Sequence, residues 1–283
     1  MTASARSLRQ AIADSYPLVV PGVYDGISAR ALAATDFEAA YIGSHATSAV
    51  LHGIPDVGYL TRTDMVEQIR RLAPIAGKPI IADGEAGFGN PLHVARTVAA
   101  YEHAGAAAIH LEDHTFGKHL AATWGVSPLG EAVDRLRAAL DARASADFLI
   151  IARTDAFRGR GIEPVLERLH AFAEEGADAV FATGCGPAEL TRIKAELKLP
   201  LISLNLPGRN AAELAAAGAD VVIYFGSAYF AAQAAVAAVY RQLAAAGDLS
   251  DLEGGMLDTW SFDAFLGIDE IRRQALRLGL ISD

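Results

Sequence analysis

The stretch Glu175-Gly176-Ala177-Asp178 marks a point where a helical pattern stops and a short apolar run begins. The same sequence pattern recurs at Ala217-Gly218-Ala219-Asp220 and, in a shorter form, at Ala104-Gly105-Ala106. Glycine at the end of a helix accepts the left-handed conformation of a C-cap, so each phrase predicts a helix followed by a strand. Repeated alternation of helices and short apolar strands is typical of a parallel sheet.

Short apolar runs recur along the whole chain. We predict eight strands, at residues 18–21, 39–42, 78–83, 106–112, 148–153, 179–182, 201–204 and 221–225. Helices are expected between them, with a long loop after residue 45 and a helix capped by Thr61. Eight such units in 283 residues favour an α/β fold of the closed (β/α)8 (TIM barrel) type. An open doubly wound sheet is the alternative, weakened because the first strand–helix turn lacks a dinucleotide-binding glycine pattern.

The predicted domains are a barrel over residues 1–247 and a C-terminal helical extension over residues 248–283. A barrel does not need this extension, which contains a predicted helix from residue 269 to about 280. We expect its apolar side chains to pack on the same subunit or on a neighbouring one.

Composition narrows the class of protein. The net charge is −10 and no basic patch is present, so nucleic acid and anionic membranes are not expected as partners. Cys185 is the single cysteine, which excludes an internal disulfide and fits a reducing cytoplasm. We expect no signal peptide and no membrane span, because the chain lacks a charged-then-apolar start and a long uninterrupted apolar run.

Polar side chains at the predicted strand ends are the candidate site, because parallel barrels carry their chemistry there. Five carboxylates can converge on this face: Asp25, Asp56, Asp83, Glu85 and Glu112. Such a set repels itself unless a cation compensates. A hard divalent cation such as Mg²⁺, or alternatively Mn²⁺, takes carboxylate oxygens and keeps water ligands for a substrate to replace. The sequence therefore predicts a metal corner around Asp83 and Glu85.

Other strand-end residues have competing interpretations. Arg153 can bind a substrate carboxylate with two parallel hydrogen bonds, pair with Glu112 or Asp155, or do both. Asp113 and Asp155 fit a helix cap or a solvated loop as well as a catalytic role. Candidate acid–base groups are His45, His114 and His119, although a histidine in a loop is more often a solvated surface side chain than a catalytic one. Cys185 is interpreted as a bystander thiol.

Five motifs occur in an order that is specific in combination. They are Pro21-Gly22-Val23-Tyr24-Asp25-Gly26-Ile27-Ser28-Ala29, Pro55-Asp56-Val57-Gly58, Asp83-Gly84-Glu85-Ala86-Gly87-Phe88-Gly89-Asn90, His110-Leu111-Glu112-Asp113 and Ile151-Ala152-Arg153-Thr154-Asp155-Ala156. Through them the chain resembles the isocitrate lyase/phosphoenolpyruvate mutase superfamily over nearly its whole length. The resemblance implies (β/α)8 barrels that exchange their last helices between subunits, and hence a homodimer or homotetramer.

The resemblance also implies roles for individual residues. Asp83 would ligate Mg²⁺ directly, while Glu85, Asp56 and Glu112 hold its water molecules. Arg153 would bind a substrate carboxylate, and backbone N–H groups around Gly43, Ser44 and His45 would bind the oxygens of a 2-oxo acid. Tyr24 and Asn205 complete the predicted substrate site, and Glu112, Arg153 and His119 the predicted catalytic set.

Two departures from the resembling family limit the substrate assignment. Glu85 stands where the family usually has aspartate, and its extra methylene favours contact with the metal through water. Residues 116–125 contain neither the cysteine motif of the lyase members nor the motif of the mutases, so water or His119 is the expected proton donor.

The expected function is an Mg²⁺-dependent lyase that cleaves a carbon–carbon bond of a small 2-oxo or 2-hydroxy dicarboxylate through an enolpyruvate-like intermediate. Oxaloacetate-like decarboxylation and retro-aldol cleavage both fit. Phosphorus–carbon bond chemistry on phosphonopyruvate and a non-catalytic carboxylate-binding barrel are the alternatives.

Overall fold

The computed structural model describes residues 7–115, 119–120, 125–158, 160–205 and 208–282. Its strands are β1 Leu18–Pro21, β2 Ala40–Ile42, β3 Ile80–Asp83, β4 Ala108–Glu112, β5 Leu149–Thr154, β6 Ala179–Ala182, β7 Leu201–Leu204 and β8 Val221–Tyr224. Its helices are α1 Leu8–Asp14, α2 Gly26–Ala33, α3 Ser44–His52, α4 Arg62–Ala76, α5 Pro91–Ala104, α6 Leu129–Ala142, α7 Ile162–Glu174, α8 Pro187–Glu196, α9 Ala211–Ala216, α10 Ser227–Ala246, α11 Ser250–Glu253, α12 Thr259–Leu266 and α13 Ile268–Arg277.

The eight strands form one parallel sheet in the order β1-β8-β7-β6-β5-β4-β3-β2. The two outer strands, β1 and β2, approach each other through a parallel bridge between Gly22 and Tyr41. There the N–H of Val23 donates to the carbonyl of Tyr41 at 2.8 Å. The sheet is therefore a nearly closed (β/α)8 barrel, which confirms the predicted fold class.

Side chains alternate between two apolar layers along each strand, as the two-residue period of a strand requires. On β5, Leu149 and Ile151 belong to the cluster inside the barrel. Ile150 and Ala152 belong to the larger cluster between the sheet and the helices. Continuing the inward series by two residues leads to Arg153, which lies at the carboxyl end of the barrel interior. The same two-residue alternation determines which residues at the other strand ends face the site.

Helix ends follow the predicted glycine rule, whereas α3, α11 and α12 were not predicted as separate helices. Gly105, Gly176 and Gly218 have φ angles of 100°, 97° and 106°, in the left-handed region that favours glycine. The expected loop after residue 45 is wrong over residues 46–52, which belong to α3. The buried face of α3 includes Ser44, Thr47 and Ser48 rather than large apolar residues, so the segment shows no clear apolar period.

The chain divides into two compact units, Met1–Ser227 and Ala228–Asp283. The second unit contains nearly all of α10 and the three helices that follow it. In α12, the Asp258 carboxylate caps the helix by accepting from the N–H groups of Trp260 and Ser261. The boundary at residues 247 and 248 stays a prediction. Within the described residues, no helix combines the length and apolarity needed to cross a membrane.

Candidate active site

A cavity of about 180 Å³ lies at the carboxyl ends of the strands of the barrel. It is lined by Tyr41, Gly43, Ser44, His45, Ala46, Asp56, Asp83, Glu112, His119, Arg153, Arg158, Thr183, Gly184, Leu204 and Phe225. Eight of the residues predicted for the site therefore meet in one place: Gly43, Ser44, His45, Asp56, Asp83, Glu112, His119 and Arg153.

Ser44 joins two buried carboxylates at the start of α3. Its hydroxyl lies 2.8 Å from Oδ2 of Asp83 and 3.0 Å from Oδ2 of Asp56. Its N–H also donates to Oδ2 of Asp83 at 3.2 Å, which places this anion at a helix N-terminus. One hydroxyl proton serves only one carboxylate at a time. Two buried carboxylates thus meet at the one Ser44 hydroxyl.

The turn after β3 holds Asp83 in place and brings Glu85 next to His114. The N–H of Glu85 donates to Oδ1 of Asp83 at 2.9 Å, and Glu85 adopts a φ of 49° that is uncommon outside glycine. Its carboxylate lies 3.7 Å from Nε2 of His114. Glu85 and His114 line a neighbouring cavity, and Glu112, whose carboxylate groups with both of them within 4.8 Å, lines the cavity that holds Asp56 and Asp83.

Two groups of buried side chains can hold a metal ion. The ligand atoms of Asp83, His110 and Glu112 lie within 4.8 Å of one another, as do those of Glu85, Glu112 and His114. The four carboxylates predicted to bind the metal, including Asp56, are only 2–6% exposed. Burying this much negative charge is costly without a cation. The oxygen-rich donor set fits a hard divalent cation.

Tyr41 and His110 support this cluster from inside the barrel. The Tyr41 hydroxyl lies 3.0 Å from Nε2 of His110 and 3.4 Å from Oδ2 of Asp83. Burial, and then the charge of Asp83, raises the pKa of Tyr41 well above its usual value, so the hydroxyl stays protonated and can donate. Neither residue was predicted as a site residue, because both lie within apolar runs. The two-residue alternation of inward-facing positions along each strand would have identified them.

Arg153 is buried between two carboxylates. Its Nη1 lies 2.5 Å from Oε1 of Glu112, and its Nη2 lies 3.0 Å from Oδ1 of Asp155. Burial disfavours the charged guanidinium, yet these two carboxylates hold the pKa of Arg153 well above its usual value. Its Nε has no hydrogen-bond partner among the described residues. The predicted pairing with Glu112 and Asp155 is present, and Arg153 also lines the cavity.

The histidines occupy different positions. His119 is 38% exposed on its side chain, and its Nε2 lies 3.7 Å from Oδ2 of Asp56. Its ring meets that of His45 edge-on at 6.1 Å between centroids, so both belong to the cavity wall. His114 instead contacts Glu112 at 3.2 Å, outside the cavity lining. Of the segment 116–125, residues 116–118 and 121–124 lie outside the described residues.

Several candidates do not line the cavity. Tyr24 uses its carbonyl to accept from Nε2 of Gln68 at 2.6 Å, and Asp25 caps α2. Asn205 follows Leu204, and the inward register of β7 places Leu204 in the wall. Cys185 is buried, and burial raises its pKa to about 12. Asp25 therefore has a local structural role, whereas Oδ1 of Asn205 is buried without a hydrogen-bond partner among the described residues.

Asp113 belongs to a buried structural network. Its carboxylate accepts from the Thr154 hydroxyl at 2.6 Å, the Asp155 N–H at 2.9 Å and Nη1 of Arg168 at 3.1 Å. Arg168 also donates to the carbonyl of Ser127 at 2.7 Å. The network connects the ends of β4 and β5 with α7, so Asp113 is a buried structural carboxylate and not the helix cap or solvated loop residue of the structural interpretation.

Polar side chains gathered at the strand ends of a nearly closed parallel barrel define the class of barrel enzymes. The clustered carboxylates of this chain form a site that can hold a metal. The family model described as phosphoenolpyruvate phosphomutase matches residues 8–244. The chain belongs to this family and to the isocitrate lyase/PEP mutase superfamily, as its motifs predicted.

Named relatives cover almost the whole chain. It is 35% identical to 2,3-dimethylmalate lyase of Eubacterium barkeri, over 95% of this chain and 96% of the relative. It is also 35% identical to oxaloacetate decarboxylase of Chromohalobacter salexigens, over 94% and 93% of the two chains. A structure of oxaloacetate acetylhydrolase with 3,3-difluorooxalacetate matches with a TM-score of 0.90 and 30% identity, covering 97% of each chain. Such relatives indicate a carbon–carbon lyase.

Proposed function

We propose that this protein is an Mg²⁺-dependent lyase that cleaves a carbon–carbon bond of a small 2-oxo or 2-hydroxy dicarboxylate. The observation that carries the proposal is the pair of buried carboxylates, Asp56 and Asp83, within 3.0 Å of the single Ser44 hydroxyl. Two relatives whose names describe a lyase and a decarboxylase support the reaction class.

The proposed metal site uses four carboxylates. Asp83 would be the direct ligand, and Asp56, Glu85 and Glu112 would hold the ion through water molecules. When bound, the cation polarises the oxygens of a 2-oxo or 2-hydroxy acid and stabilises charge that builds on them. Mn²⁺ has the same preference for oxygen ligands and is the expected substitute.

The protein itself orients the substrate and moves its proton. Nε of Arg153 is the proposed donor to the substrate carboxylate nearest the metal site, while Glu112 holds the guanidinium in place. The start of α3 lines the cavity, so we assign the oxygens of the substrate to backbone N–H groups around Gly43, Ser44 and His45. His119, beside Asp56 in the cavity wall, is the proposed proton donor.

A substrate panel tests this function. The wild-type protein is incubated with Mg²⁺ and a series of 2-oxo and 2-hydroxy dicarboxylates, and products are identified by NMR. We expect a 2-oxo acid with CO₂ or a monocarboxylate, lost in Asp83→Ala and retained in the exposed control Asp36→Ala. Unchanged turnover in Asp83→Ala would reject the metal assignment.

The same panel separates the alternatives. Phosphate or phosphoenolpyruvate from phosphonopyruvate would assign phosphorus–carbon chemistry, which the description of the family model raises. Ligand-induced thermal stabilisation without turnover of any compound would favour a carboxylate-binding barrel that no longer catalyses.

We also propose that the chain acts in the cytoplasm as a homo-oligomer. The single cysteine suits a reducing compartment. The unit Ala228–Asp283 exposes large apolar side chains, including Tyr240, Trp260 and Leu280 at 67%, 75% and 72%. Clustered exposed apolar groups mark association surfaces. Light scattering coupled to size exclusion should give a dimer or tetramer, and a monomer at micromolar concentration would contradict this.

A further inference from the structure

The cavity has a second polar region on the part of its wall formed after β5 and β6. The barrel order puts these strands beyond β4, whereas Asp56 and Asp83 belong to the β2 and β3 side. Arg158 follows β5, and Thr183 and Gly184 follow β6. A Cβ atom at position 184 would lie 3.7 Å from Cγ of Arg158, an ordinary van der Waals distance, so the Arg158 side chain packs against this part of the wall. Gly184 has a φ of 83°, in the left-handed region that favours glycine.

Arg158 brings a second arginine to the cavity wall. Arg153, the first, faces two buried carboxylates, Glu112 and Asp155. Arg158 is an exposed residue, yet its side chain forms part of the cavity wall. A planar guanidinium on a cavity wall is suited to bidentate binding of a carboxylate.

Thr183 supplies an independent observation at the same place. It is only 5% exposed and lines the cavity, and its Oγ1 has no hydrogen-bond partner among the described residues. Buried hydroxyl groups are normally paired, because leaving one unpaired costs stability. A hydroxyl kept in this state on a cavity wall indicates a partner that arrives with the ligand.

We propose that Arg158 and Thr183 bind the substrate carboxylate that lies farthest from Asp83, and so select dicarboxylates over monocarboxylates. The inference rests on the proposed function for the position of the first carboxylate. Arg158 provides the charge, and the Thr183 hydroxyl provides one further hydrogen bond.

This second carboxylate site bears on the type of cleavage. Decarboxylation turns the held carboxylate into neutral CO₂, so an ion pair to it opposes the step. Retro-aldol cleavage of a 2-hydroxy dicarboxylate leaves that group charged. The hydroxyl loses its proton, the C2–C3 bond breaks to give a 2-oxo acid, and the electron pair goes to C3 beside the held carboxylate. C3 then takes a proton, giving a monocarboxylate. Arg158 stabilises the charge beside C3 and therefore favours retro-aldol cleavage.

Calorimetric titration of the full chain with Mg²⁺ tests the site. Malate carries both carboxylates, whereas oxalate is short enough to occupy the metal side alone. Arg158→Gln should weaken malate binding about 10- to 100-fold, the value of a charged hydrogen-bonded contact, and leave oxalate within about twofold. Arg160→Gln, an exposed arginine of the same loop outside the cavity lining, should change neither. Thr183→Val should weaken malate about threefold or more without lowering the melting temperature.

Each result decides the inference. Equal weakening of malate and oxalate in Arg158→Gln, unchanged malate binding, or no malate binding to the wild type would overturn it. Selective loss of malate binding supports it. The lyase proposal is judged separately: selective loss of malate binding without any turnover would reject the lyase and keep the site. Turnover by the wild type together with unchanged malate binding in Arg158→Gln would reject the second carboxylate site and keep the lyase.

Discussion

Replacing Arg153 by glutamine removes the cation that faces two buried carboxylates. The side chain of Arg153 is 9% exposed, and those of Glu112 and Asp155 are 0% exposed. Removing one partner of a buried ion pair costs about 3–5 kcal/mol, because the other charge stays in a poor solvent. Here one substitution takes the guanidinium away from two buried carboxylates at once, so we expect a loss near 5 kcal/mol in the free energy of unfolding.

Urea unfolding followed by circular dichroism measures this loss. A change of about 5 kcal/mol is a large part of the ~5–15 kcal/mol that stabilises a typical protein, so the midpoint should fall markedly. Asp155→Asn in the Arg153→Gln background removes one of the two buried negative charges. It should recover about 1–3 kcal/mol of the free energy of unfolding. Arg137→Gln, which breaks the exposed pair with Glu175, is the matched control and should change little.

The refuting result is specific. Arg153→Gln that unfolds within about 1 kcal/mol of the wild type would show that the two carboxylates are not held as buried charges. A double variant less stable than Arg153→Gln would show that Asp155 stabilises the fold by some other contact.

Three further predictions concern the turn, the thiol and the tyrosine. Gly84→Ala should cost about 1–3 kcal/mol and weaken metal binding, because a Cβ there would lie 2.6 Å from Cδ1 of Ile109; normal thermal unfolding would disprove this. Cys185, with a pKa of about 12, should react with a thiol reagent at pH 8 only in denaturant; rapid labelling of native protein would contradict its burial. Tyr41→Phe should lower stability by about 1–3 kcal/mol, because His110 loses its hydroxyl partner, and calorimetry reporting no change would exclude that contact.

The barrel was predictable because its signals are local. Gly105, Gly176 and Gly218 mark helix ends whatever surrounds them, and the apolar runs after them match β4, β6 and β8. Helix α3 was not predictable in the same way, since its buried positions are small and polar. Its formation depends on the tertiary contacts of Ser44 with Asp83 and Asp56, which bring together residues far apart in the chain.

The candidate site was predictable where a polar residue ends an apolar run, as Asp83, Glu112 and Arg153 do. It was missed where an inward polar side chain lies inside such a run, as with Tyr41, because strands buried on both faces do not reveal their inward side by hydrophobicity. Asn205 illustrates the same difficulty. It follows the last residue of β7, and the two-residue alternation along that strand puts the preceding residue, Leu204, in the cavity wall.

The central claim is that a divalent cation at the Asp83 cluster supports carbon–carbon cleavage. The most direct measurement is turnover of the cleaved panel substrate by metal-stripped protein as Mg²⁺ is added back, with bound metal counted in parallel. We predict no cleavage without metal and recovery that saturates at one ion per chain. Full cleavage in the presence of excess chelator would contradict the claim.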